Sequence, residues 1–482
     1  MTIDYDRIYV GGEWTLPTSS DKITVSSAST EDILGSVPAA TRADVDAAVG
    51  AARHAFDDPS GWAQWEPSRR QAALERFAVA LVARRDEFVH RVSGQNGMPA
   101  KIGKLTEGAV PANIVRYYAT LATKLEGEQT RKSLVKGTTV VRKEPLGVVA
   151  AIVPWNFPQI LSFFKIAPAL AAGCTVVLKP ASETVLDAFL IAEAAHEAEL
   201  PPGVLNVIAG SGRVVGDHLV THPGVDKVGF TGSTEVGQHI GAQCGRLIRP
   251  VTLELGGKSA AVVLDDVDAD AFTRELFETS LINSGQSCFI STRILLPRSR
   301  YTELVEAITE TVRQYPVGDP FERSTMIGPL VSSAQRDIVE SYIKKGQAEG
   351  GRITTGGGRP KGLDRGWYVE PTIIADVDNN AAVSREEIFG PVLALIPYED
   401  DNDAIAIAND SDYGLGGTVW TTDVERGLSV ARRVKTGSIG VNGFTLDLGA
   451  PFGGVKRSGL GRELGPEGLA AYQQFQSIYL PE

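Results

Sequence analysis

A cysteine in a polar, glycine-bearing segment is the first candidate for chemistry. Cys288 ends the stretch Asn-Ser-Gly-Gln-Ser-Cys, which follows an apolar helical stripe over Ala269–Ser284. Gly285 is well placed to end that helix and to leave Cys288 in a loop. A lone free cysteine is most often a buried structural residue. A loop of this composition is atypical of a core, so we interpret Cys288 as a candidate nucleophile.

The group that would assist such a nucleophile is not a histidine in the order known from papain-like proteases. All six histidines precede Cys288, whereas those proteases place theirs downstream. The alternative is Glu254, which lies in the apolar strand Val251–Leu255 directly before Gly256-Gly257. Open α/β sheets bind ligands at the carboxyl ends of their strands. A helix-capping or surface role remains open for Glu254 from this segment alone.

A candidate oxyanion donor lies in the segment Pro-Trp-Asn-Phe-Pro at residues 154–158. Two prolines predict a rigid turn around Asn156. The amide of Asn156 is an uncharged donor that suits a developing oxyanion. Capping of the following helix is an equally good interpretation of this asparagine.

The signals for nucleotide binding are weak when each is taken separately. A strict G-x-G-x-x-G is absent, and Gly210–Gly216 is a looser glycine loop that contains Gly212. Phe230–Thr234 reads as a strand running into the start of a helix, where free N–H groups favour a phosphate. Either segment is also compatible with an ordinary turn. The P-loop likeness of Gly256–Ser259 is rejected because Thr252 occupies the position of the leading glycine.

The elements around these residues predict an α/β fold with two parallel-sheet, Rossmann-like domains. Near-continuous apolar runs alternate with helical stretches, which is typical of parallel sheets covered on both faces. We place the boundary between the two domains at Gly256-Gly257. The predicted strands are Gly147–Val153, Thr175–Leu178, Val204–Ile208, Lys227–Phe230, Val251–Leu255, Ala260–Leu264, Arg293–Leu296, Val392–Ile396 and Gly417–Thr421.

Two further segments have the two-residue alternation of exposed strands. Thr138–Lys143 and Gln476–Leu480 could pair with each other or with a neighbouring subunit.

Composition narrows the class of partner and the compartment. The net charge of −12 repels phosphate backbones, which argues against nucleic acid. No secretory signal or membrane-length apolar run is visible. Cys174 and Cys244, which we interpret as structural, make three cysteines with Cys288. An odd, sparse set indicates a reducing compartment, so we expect a cytoplasmic protein. No metal-ligand spacing such as H-E-x-x-H or C-x-x-C is present, so we expect no metal site.

Seven segments together resemble the NAD(P)-dependent, hydrolytic enzymes of the aldehyde dehydrogenase superfamily. Their order and spacing are similar to the family's over nearly the whole chain, and agreement of seven segments by chance is negligible. The segments are Pro154–Pro158, Lys179-Pro180, Phe230–Ser233, Glu254–Lys258, Gly285–Cys288, Glu386–Pro391 and Pro451–Lys456.

The resemblance implies roles that agree with the physical interpretation above. Cys288 would attack an aldehyde, and the Asn156 side chain with the Cys288 backbone N–H would hold the oxyanion. Hydride transfer to a nicotinamide would leave a thioester on the sulfur. Glu254 would activate the water that hydrolyses this thioester, and Lys165 would belong to the same polar network.

The resemblance also implies the cofactor contacts. Lys179 would hold the adenosine ribose, Ser233 the pyrophosphate, and Glu387 the nicotinamide ribose with Phe389 beside it. NAD-preferring relatives typically carry glutamate where this chain has Ser182, so we expect NAD as the main cofactor with NADP tolerated. The remaining cofactor-binding candidates are Trp155, Gly212, Gly216, Phe230 and Gly232.

An apolar substrate tunnel is the third implication. So apolar a wall predicts medium aliphatic or aromatic aldehydes over charged ones. The tunnel residues by family position are Phe157, Leu161, Phe164, Phe289 and Phe452.

The family's architecture implies a cofactor domain at residues 1–122 and 143–256, and a catalytic domain at 257–445. A bridging arm at 123–142 and 446–482 would build homodimers or homotetramers. Two rival functions are a CoA-acylating dehydrogenase and a non-catalytic structural relative. CoA-acylating relatives tend to lack the general base, whereas Glu254 is present, and a non-catalytic relative would have lost Cys288, Asn156 or Glu254.

Overall fold

The strands of this protein form two large sheets and two small ones in a computed structural model that describes residues 2–481. In chain order the strands are β1 (Ile3–Asp4), β2 (Ile8–Val10), β3 (Glu13–Thr15), β4 (Lys22–Ser26), β5 (Ile33–Pro38), β6 (Glu128–Lys132), β7 (Thr138–Pro145), β8 (Val148–Ile152), β9 (Thr175–Lys179), β10 (Leu205–Val207), β11 (Lys227–Thr231), β12 (Val251–Glu254), β13 (Ser259–Val263), β14 (Ser291–Pro297), β15 (Arg352–Thr355), β16 (Thr372–Ala375), β17 (Val392–Tyr398), β18 (Gly417–Trp420), β19 (Gly440–Val441), β20 (Gly459–Leu460) and β21 (Gln473–Leu480).

Helices cover the large sheets and fill the space between them. They are α1 (Arg42–Asp57), α2 (Pro67–Ala83), α3 (Arg85–Asn96), α4 (Ala100–Leu105), α5 (Val110–Lys124), α6 (Pro158–Ala172), α7 (Ala188–Glu197), α8 (Asp217–Thr221), α9 (Thr234–Arg246), α10 (Ala269–Leu276), α11 (Tyr301–Arg313), α12 (Ser333–Ala348), α13 (Ala382–Arg385), α14 (Asp401–Asn409), α15 (Val424–Ala431) and α16 (Gly465–Ala470).

The first large sheet has the strand order β20-β12-β11-β8-β9-β10-β2-β3. Its five central strands, β12 to β10 in that order, are parallel, and antiparallel strands close both edges. Strands β8, β9 and β11 are buried along their whole length. Burial on both faces explains why these strands read as continuous apolar runs in the sequence.

The second large sheet has the order β15-β16-β17-β14-β13-β18-β19 and is parallel except at the β15 edge. It begins with β13, directly after Gly256-Gly257, and each predicted strand from Ala260 onward lies in it. The predicted fold class, α/β with two mainly parallel sheets, is confirmed.

A small antiparallel sheet has the order β21-β7-β6. Of the two pairings open for Thr138–Lys143 and Gln476–Leu480, the structure shows them paired with each other, from Thr138 with Leu480 to Pro145 with Gln473. Strand β20, which also lies in the range we assigned to the arm, pairs instead with β12 in the first sheet. Within residues 2–481, no helix combines the length and apolarity that crossing a membrane requires.

The predicted end of the helix before Cys288 is wrong by several residues. The regular α-helix ends at Leu276, and a wider helical turn follows it to Leu281. Asn283, Ser284 and Gly285 then all adopt left-handed φ values of 52°, 56° and 75°. The reversal therefore takes three successive residues and not one C-terminal glycine.

Helix α6 connects the central sheet to the site. All 15 of its residues are buried, so it packs on every side, and Lys165 is its single cationic residue. An ammonium group buried in a mainly apolar helix requires a specific anionic or polar partner. A residue that is attached to the start of α6 is therefore held rigidly by this close-packed core.

We predict that Gly285→Ala destabilises the protein, whereas Gly50→Ala does not. A Cβ at Gly285 would lie 2.1 Å from the Gly390 carbonyl oxygen, in addition to the left-handed φ. A Cβ at Gly50, inside α1, meets nothing within 4 Å. We expect Gly285→Ala to lower the free energy of unfolding by roughly 1–3 kcal/mol, measured by denaturant unfolding. Equal stabilities for the two variants would contradict this account.

Candidate active site

A cleft with a volume of about 290 Å³ opens where the carboxyl ends of the first sheet face the second sheet. It brings together seven of the predicted site residues: Trp155, Asn156, Gly232, Ser233, Cys288, Glu387 and Phe389. The other lining residues are Pro154, Thr231, Leu255, Gly256, Gln335, Ile338 and Ile388.

The loop that carries Cys288 is fixed by hydrogen bonds to a neighbouring loop. The Ser284 hydroxyl donates to the Gly328 carbonyl over 3.0 Å, and Gln286 Oε1 accepts from the Val331 N–H over 3.0 Å. Gly257 is required on the other side, since a Cβ there would lie 2.3 Å from the Cys288 carbonyl oxygen. The sulfur is thus held by backbone packing from both sides.

Burial and nearby carboxyl groups favour the protonated thiol of Cys288 over its thiolate. Burial raises the pKa of Cys288 well above its ordinary value, and the nearby Glu387 and Glu254 raise it further. A thiolate here therefore requires a base or an added positive charge next to the sulfur.

Asn156 is held in the same system of loops. Its Nδ2 donates to the Gln286 carbonyl over 3.0 Å. Its own carbonyl accepts from Asn283 Nδ2 over 3.0 Å. Helix α6 starts with Phe157 as its N-cap and has no side-chain cap. The capping interpretation of Asn156 is therefore wrong, and the amide faces the cysteine loop instead.

The free N–H groups of α6 are served by a residue far away in the chain. The Glu107 Oε2 accepts from the Gln159 N–H over 2.7 Å. Glu107 is completely buried, and burial raises the pKa of its carboxyl to about 8. This arrangement leaves the side chain of Asn156 available for other partners.

Glu254 ends β12 as a buried carboxyl, and among residues 2–481 neither of its oxygens has a hydrogen-bond partner. Burial raises the pKa of Glu254 well above its ordinary value, Glu463 raises it further, and Lys165 and Arg462 oppose the shift. The backbone of Gly453 lies close to the Glu254 carboxyl, and a side chain would not fit there, because a Cβ on Gly453 would lie 2.6 Å from Glu254 Oε1. A buried carboxyl with two unpaired oxygens offers acceptors of the kind that a general base needs.

Lys165 projects from α6 toward this carboxyl. Its Nζ contacts Glu463 Oε1 over 2.8 Å and donates to the Thr231 hydroxyl over 2.6 Å. Sequence reasoning placed Lys165 in the polar network but missed Glu463. No local signal marks Glu463, since its partner Lys165 is far away in the chain and the segment around it has no catalytic motif.

Glu387 and Phe389 lie on the opposite wall of the cleft. The Gly257 N–H donates to Glu387 Oε1 over 2.9 Å. Burial raises the pKa of Glu387 to about 7, against the opposing effects of the Gly257 bond and Lys258. Phe389 has a left-handed φ of 56° and meets Trp155 edge to face at 5.2 Å. Gln335, which the sequence did not point to, holds the backbone here by donating to the Phe389 carbonyl over 3.0 Å.

The remaining candidate cofactor-binding residues do not line the cleft. Lys179 ends β9, its Nζ donates to the Pro180 carbonyl over 2.8 Å, and burial lowers its pKa to about 8. A Cβ on Gly216 would lie 3.7 Å from the Lys179 side chain, so the glycine loop borders this lysine. Ser182 is half-buried and Gly212 is exposed. The Phe230 ring is buried under Gly232, as the 2.6 Å approach of a Cβ at that glycine shows.

The predicted tunnel residues belong to one apolar cluster. Phe157, Leu161, Phe164 and Phe452 are buried, and Phe289 packs against them. Phe289 also stacks on Phe444, with ring centroids 5.0 Å apart. Phe444, Leu446 and Leu448 line the same cluster but were missed, since no motif marks them.

Three potential metal ligands lie close together on the outer surface, at Asp46, His218 and His222. His222 Nδ1 accepts from the Gly224 N–H over 3.0 Å, so the neutral ring carries its proton on Nε2. That nitrogen faces Asp46 Oδ1 at 3.3 Å as a donor and not as a free metal ligand. We interpret the cluster as hydrogen bonding between α1 and the segment around α8.

Comparison with known proteins agrees with this site. The model of the "Aldehyde dehydrogenase family" matches residues 14–478. The geranial dehydrogenase of Castellaniella defragrans is 54% identical, with 100% of each chain covered, and a chloroplastic betaine aldehyde dehydrogenase of Beta vulgaris is 36% identical, with 99% and 97% covered.

Solved structures give the same result. The Mycobacterium tuberculosis aldehyde dehydrogenase complexed with NAD+ is 47% identical and superposes with a TM-score of 0.97, covering 100% of this chain and 99% of that one. Since the match extends over both large sheets and the cleft between them, this chain belongs to the aldehyde dehydrogenase family.

Proposed function

We propose that this protein oxidises an apolar aldehyde to the carboxylic acid through a thioester on Cys288, with NAD as its main cofactor. The observation that carries the proposal is one cleft lined by Cys288, Asn156 and Glu387, with the unpaired carboxyl of Glu254 buried beside it. A nucleophile and an oxyanion donor would then line one cleft, with a base buried beside it.

The covalent steps follow from sulfur chemistry. After a base has taken the thiol proton, the Cys288 sulfur bonds to the carbonyl carbon, the C=O π bond opens, and the carbonyl oxygen becomes an oxyanion on a tetrahedral carbon. Loss of hydride from that carbon restores a carbonyl and gives the thioester. Water then adds to the thioester, the thiolate leaves, and the carboxylic acid is released.

The oxyanion would be held by the Asn156 amide and the Cys288 backbone N–H. An amide NH₂ group has two hydrogens, and the Gln286 carbonyl accepts one from Asn156. The second hydrogen remains for the substrate oxygen. Such donors contribute most in a buried site, where water does not compete with them.

Glu254 would deprotonate the water. Within residues 2–481 neither of its oxygens has a hydrogen-bond partner, and burial raises its pKa well above the ordinary carboxyl value, which makes the ionised form a stronger base. The Lys165 ammonium, paired with Glu463, opposes that shift and keeps the ionised form accessible.

The fit of a dinucleotide rests on three features, of which two line the cleft and one, Lys179, lies outside its lining. Gly232 and Ser233 line it at the start of α9, where unpaired N–H groups attract a phosphate. Lys179 stands at the carboxyl end of β9, and Glu387 lies on the opposite wall. The M. tuberculosis relative is described as an NAD+ complex. When bound, NAD supplies the acceptor for the hydride.

NADP would be tolerated because Ser182 carries no charge that repels a 2′-phosphate.

The apolar cluster around Phe289 and Phe452 favours an uncharged aldehyde, in agreement with the geranial dehydrogenase at 54% identity. The CoA-acylating and non-catalytic alternatives find no support among the relatives.

The small sheet β21-β7-β6 is the candidate surface for assembly of subunits. The small sheet carries exposed apolar side chains, including Phe475 and Tyr479 on β21 and Leu134 and Val135 in the β6–β7 turn. We propose that this arm, within residues 123–142 and 446–482, joins subunits into a homodimer or homotetramer in the cytoplasm. The cofactor domain would comprise residues 1–122 and 143–256, and the catalytic domain 257–445.

We predict that Glu254→Gln slows hydrolysis of the thioester without preventing its formation. Stopped-flow absorbance should show a burst of NADH followed by slow turnover, whereas Cys288→Ala should bind NAD and give no burst. In the wild type the deacylation rate should rise with pH, because Glu254 acts only when ionised and its raised pKa moves that rise upward from the ordinary carboxyl range. A wild-type-like steady state in Glu254→Gln would contradict the role.

We predict that Ser182→Glu lowers kcat/KM for NADP much more than for NAD. A carboxylate at this position repels a 2′-phosphate and can accept a hydrogen bond from a ribose hydroxyl. Steady-state kinetics with both cofactors measure the change, with Glu183→Gln as the neighbouring control. A wild-type NADP activity below about a thousandth of the NAD activity, roughly 4 kcal/mol of discrimination, would contradict the tolerance.

We predict that medium-chain aliphatic and aromatic aldehydes are better substrates than charged ones. Burial of apolar surface stabilises them in the tunnel, whereas a carboxylate or quaternary ammonium would lose its hydration there. A panel of aldehydes followed by NADH absorbance gives the ranking. Preference for succinic semialdehyde or betaine aldehyde would contradict the prediction.

A further inference from the structure

A buried asparagine outside the lining set holds the backbone on which Asn156 is carried. Asn96 is the last residue of α3 and is completely buried. Its Nδ2 donates to the Trp155 carbonyl over 3.0 Å and to the Asn156 carbonyl over 3.1 Å. Its Oδ1 accepts from the Met98 N–H over 2.9 Å. Both amide hydrogens are therefore committed to two consecutive carbonyls of the cleft wall.

The Asn156 carbonyl is where two loops meet. Besides Asn96, it accepts from Nδ2 of Asn283, in the left-handed run before Cys288. A carbonyl oxygen has two lone pairs, and both are used here. Because the peptide after Asn156 is held from two sides, the direction in which the Asn156 side chain leaves the backbone is fixed as well.

We propose that Asn96 is a positioning residue for the oxyanion donor: its amide clamps the carbonyls of Trp155 and Asn156 and so aims the Asn156 amide at the substrate oxygen. The inference rests on the proposed function of Asn156 and Cys288. The residue that ends α3 would then affect the rate of the chemical step.

The size of the effect follows from the geometry of oxyanion stabilisation. Removing one oxyanion donor typically costs about 10²- to 10³-fold in kcat. A donor displaced by a fraction of an ångström retains part of that stabilisation. We therefore expect a loss in kcat of about 10- to 100-fold when the Asn96 clamp is removed.

The chain offers a matched control at Asn206 on β10. Asn206 is also completely buried, and its Nδ2 also donates to two carbonyls, those of Val176 at 3.3 Å and Gly203 at 2.9 Å. Its Oδ1 accepts from the Gly11 N–H over 2.8 Å. The bonding pattern is the same as that of Asn96, but no bond of Asn206 reaches the cleft wall.

The test compares Asn96→Asp with Asn206→Asp. Each change keeps nearly the same shape but replaces the amide donor with an oxygen that faces two carbonyl oxygens, so both variants should lose thermal stability. Only Asn96→Asp should lose about 10- to 100-fold in kcat at saturating aldehyde and NAD. Alkylation of Cys288 by iodoacetamide, which forms no oxyanion, should stay at the wild-type rate in the neutral pair Asn96→Ser and Asn206→Ser, where no added carboxylate raises the pKa of the thiol.

A double-mutant cycle with Asn156→Ala separates positioning from general damage. Asn96→Asp should cause no further loss of kcat once the Asn156 amide is absent, because there is no donor left to aim. If the Asp variants do not fold, Asn96→Ser and Asn206→Ser, which keep a hydroxyl donor, give the same comparison with a smaller loss.

Three results would overturn the proposal: equal kcat for the Asn96 and Asn206 variants, a full additional loss in the Asn156→Ala background, or slowed alkylation of Cys288 in Asn96→Ser but not in Asn206→Ser. Failure of the wild type to reduce NAD with any aldehyde would instead contradict the proposed function itself. The two failures are therefore distinguishable.

Discussion

The removal of ionisable groups from water is the constraint on which this site depends. Cys288, Glu254 and Glu387 meet where the two large sheets face each other, and burial raises the pKa of each group. Buried ammonium groups oppose two of these shifts: Lys165, which is paired with Glu463, acts on Glu254, and Lys258 acts on Glu387. This balance sets the proton affinity of the two carboxyls, whereas the Cys288 thiol still requires a base or an added positive charge to become a thiolate.

The fold maintains that constraint by interlocking loops from distant parts of the chain. The segment before α6 is bonded to the end of α3 and to the loop before Cys288. That loop is bonded in turn to the segment around Gly328. Each bond joins backbone to a buried amide or hydroxyl, so the loops shift together or not at all. Preorganised donors of this kind avoid reorganisation at the moment of reaction.

Local patterns in the sequence were sufficient for the main parallel strands and for singling out Cys288 and Asn156, whereas Glu387, which lines the same cleft, was predicted only through the resemblance to a family. Contacts between distant segments were not predictable in the same way: Glu463 and Asn96 act through partners that no motif connects to them. The end of the helix before Cys288 was misplaced for a related reason. Its left-handed run is stabilised by tertiary bonds to Asn156 and Gly328, which local propensity does not encode.

The most direct test of the central claim is to see the acyl group on the sulfur. Mass spectrometry of the protein quenched soon after mixing with an aldehyde and NAD should show the added mass of the acyl group. Peptide mapping should place it on Cys288, with Cys174 and Cys244, both buried, unmodified. Turnover of the aldehyde with no acyl adduct on Cys288, or with the adduct on another residue, would contradict the account.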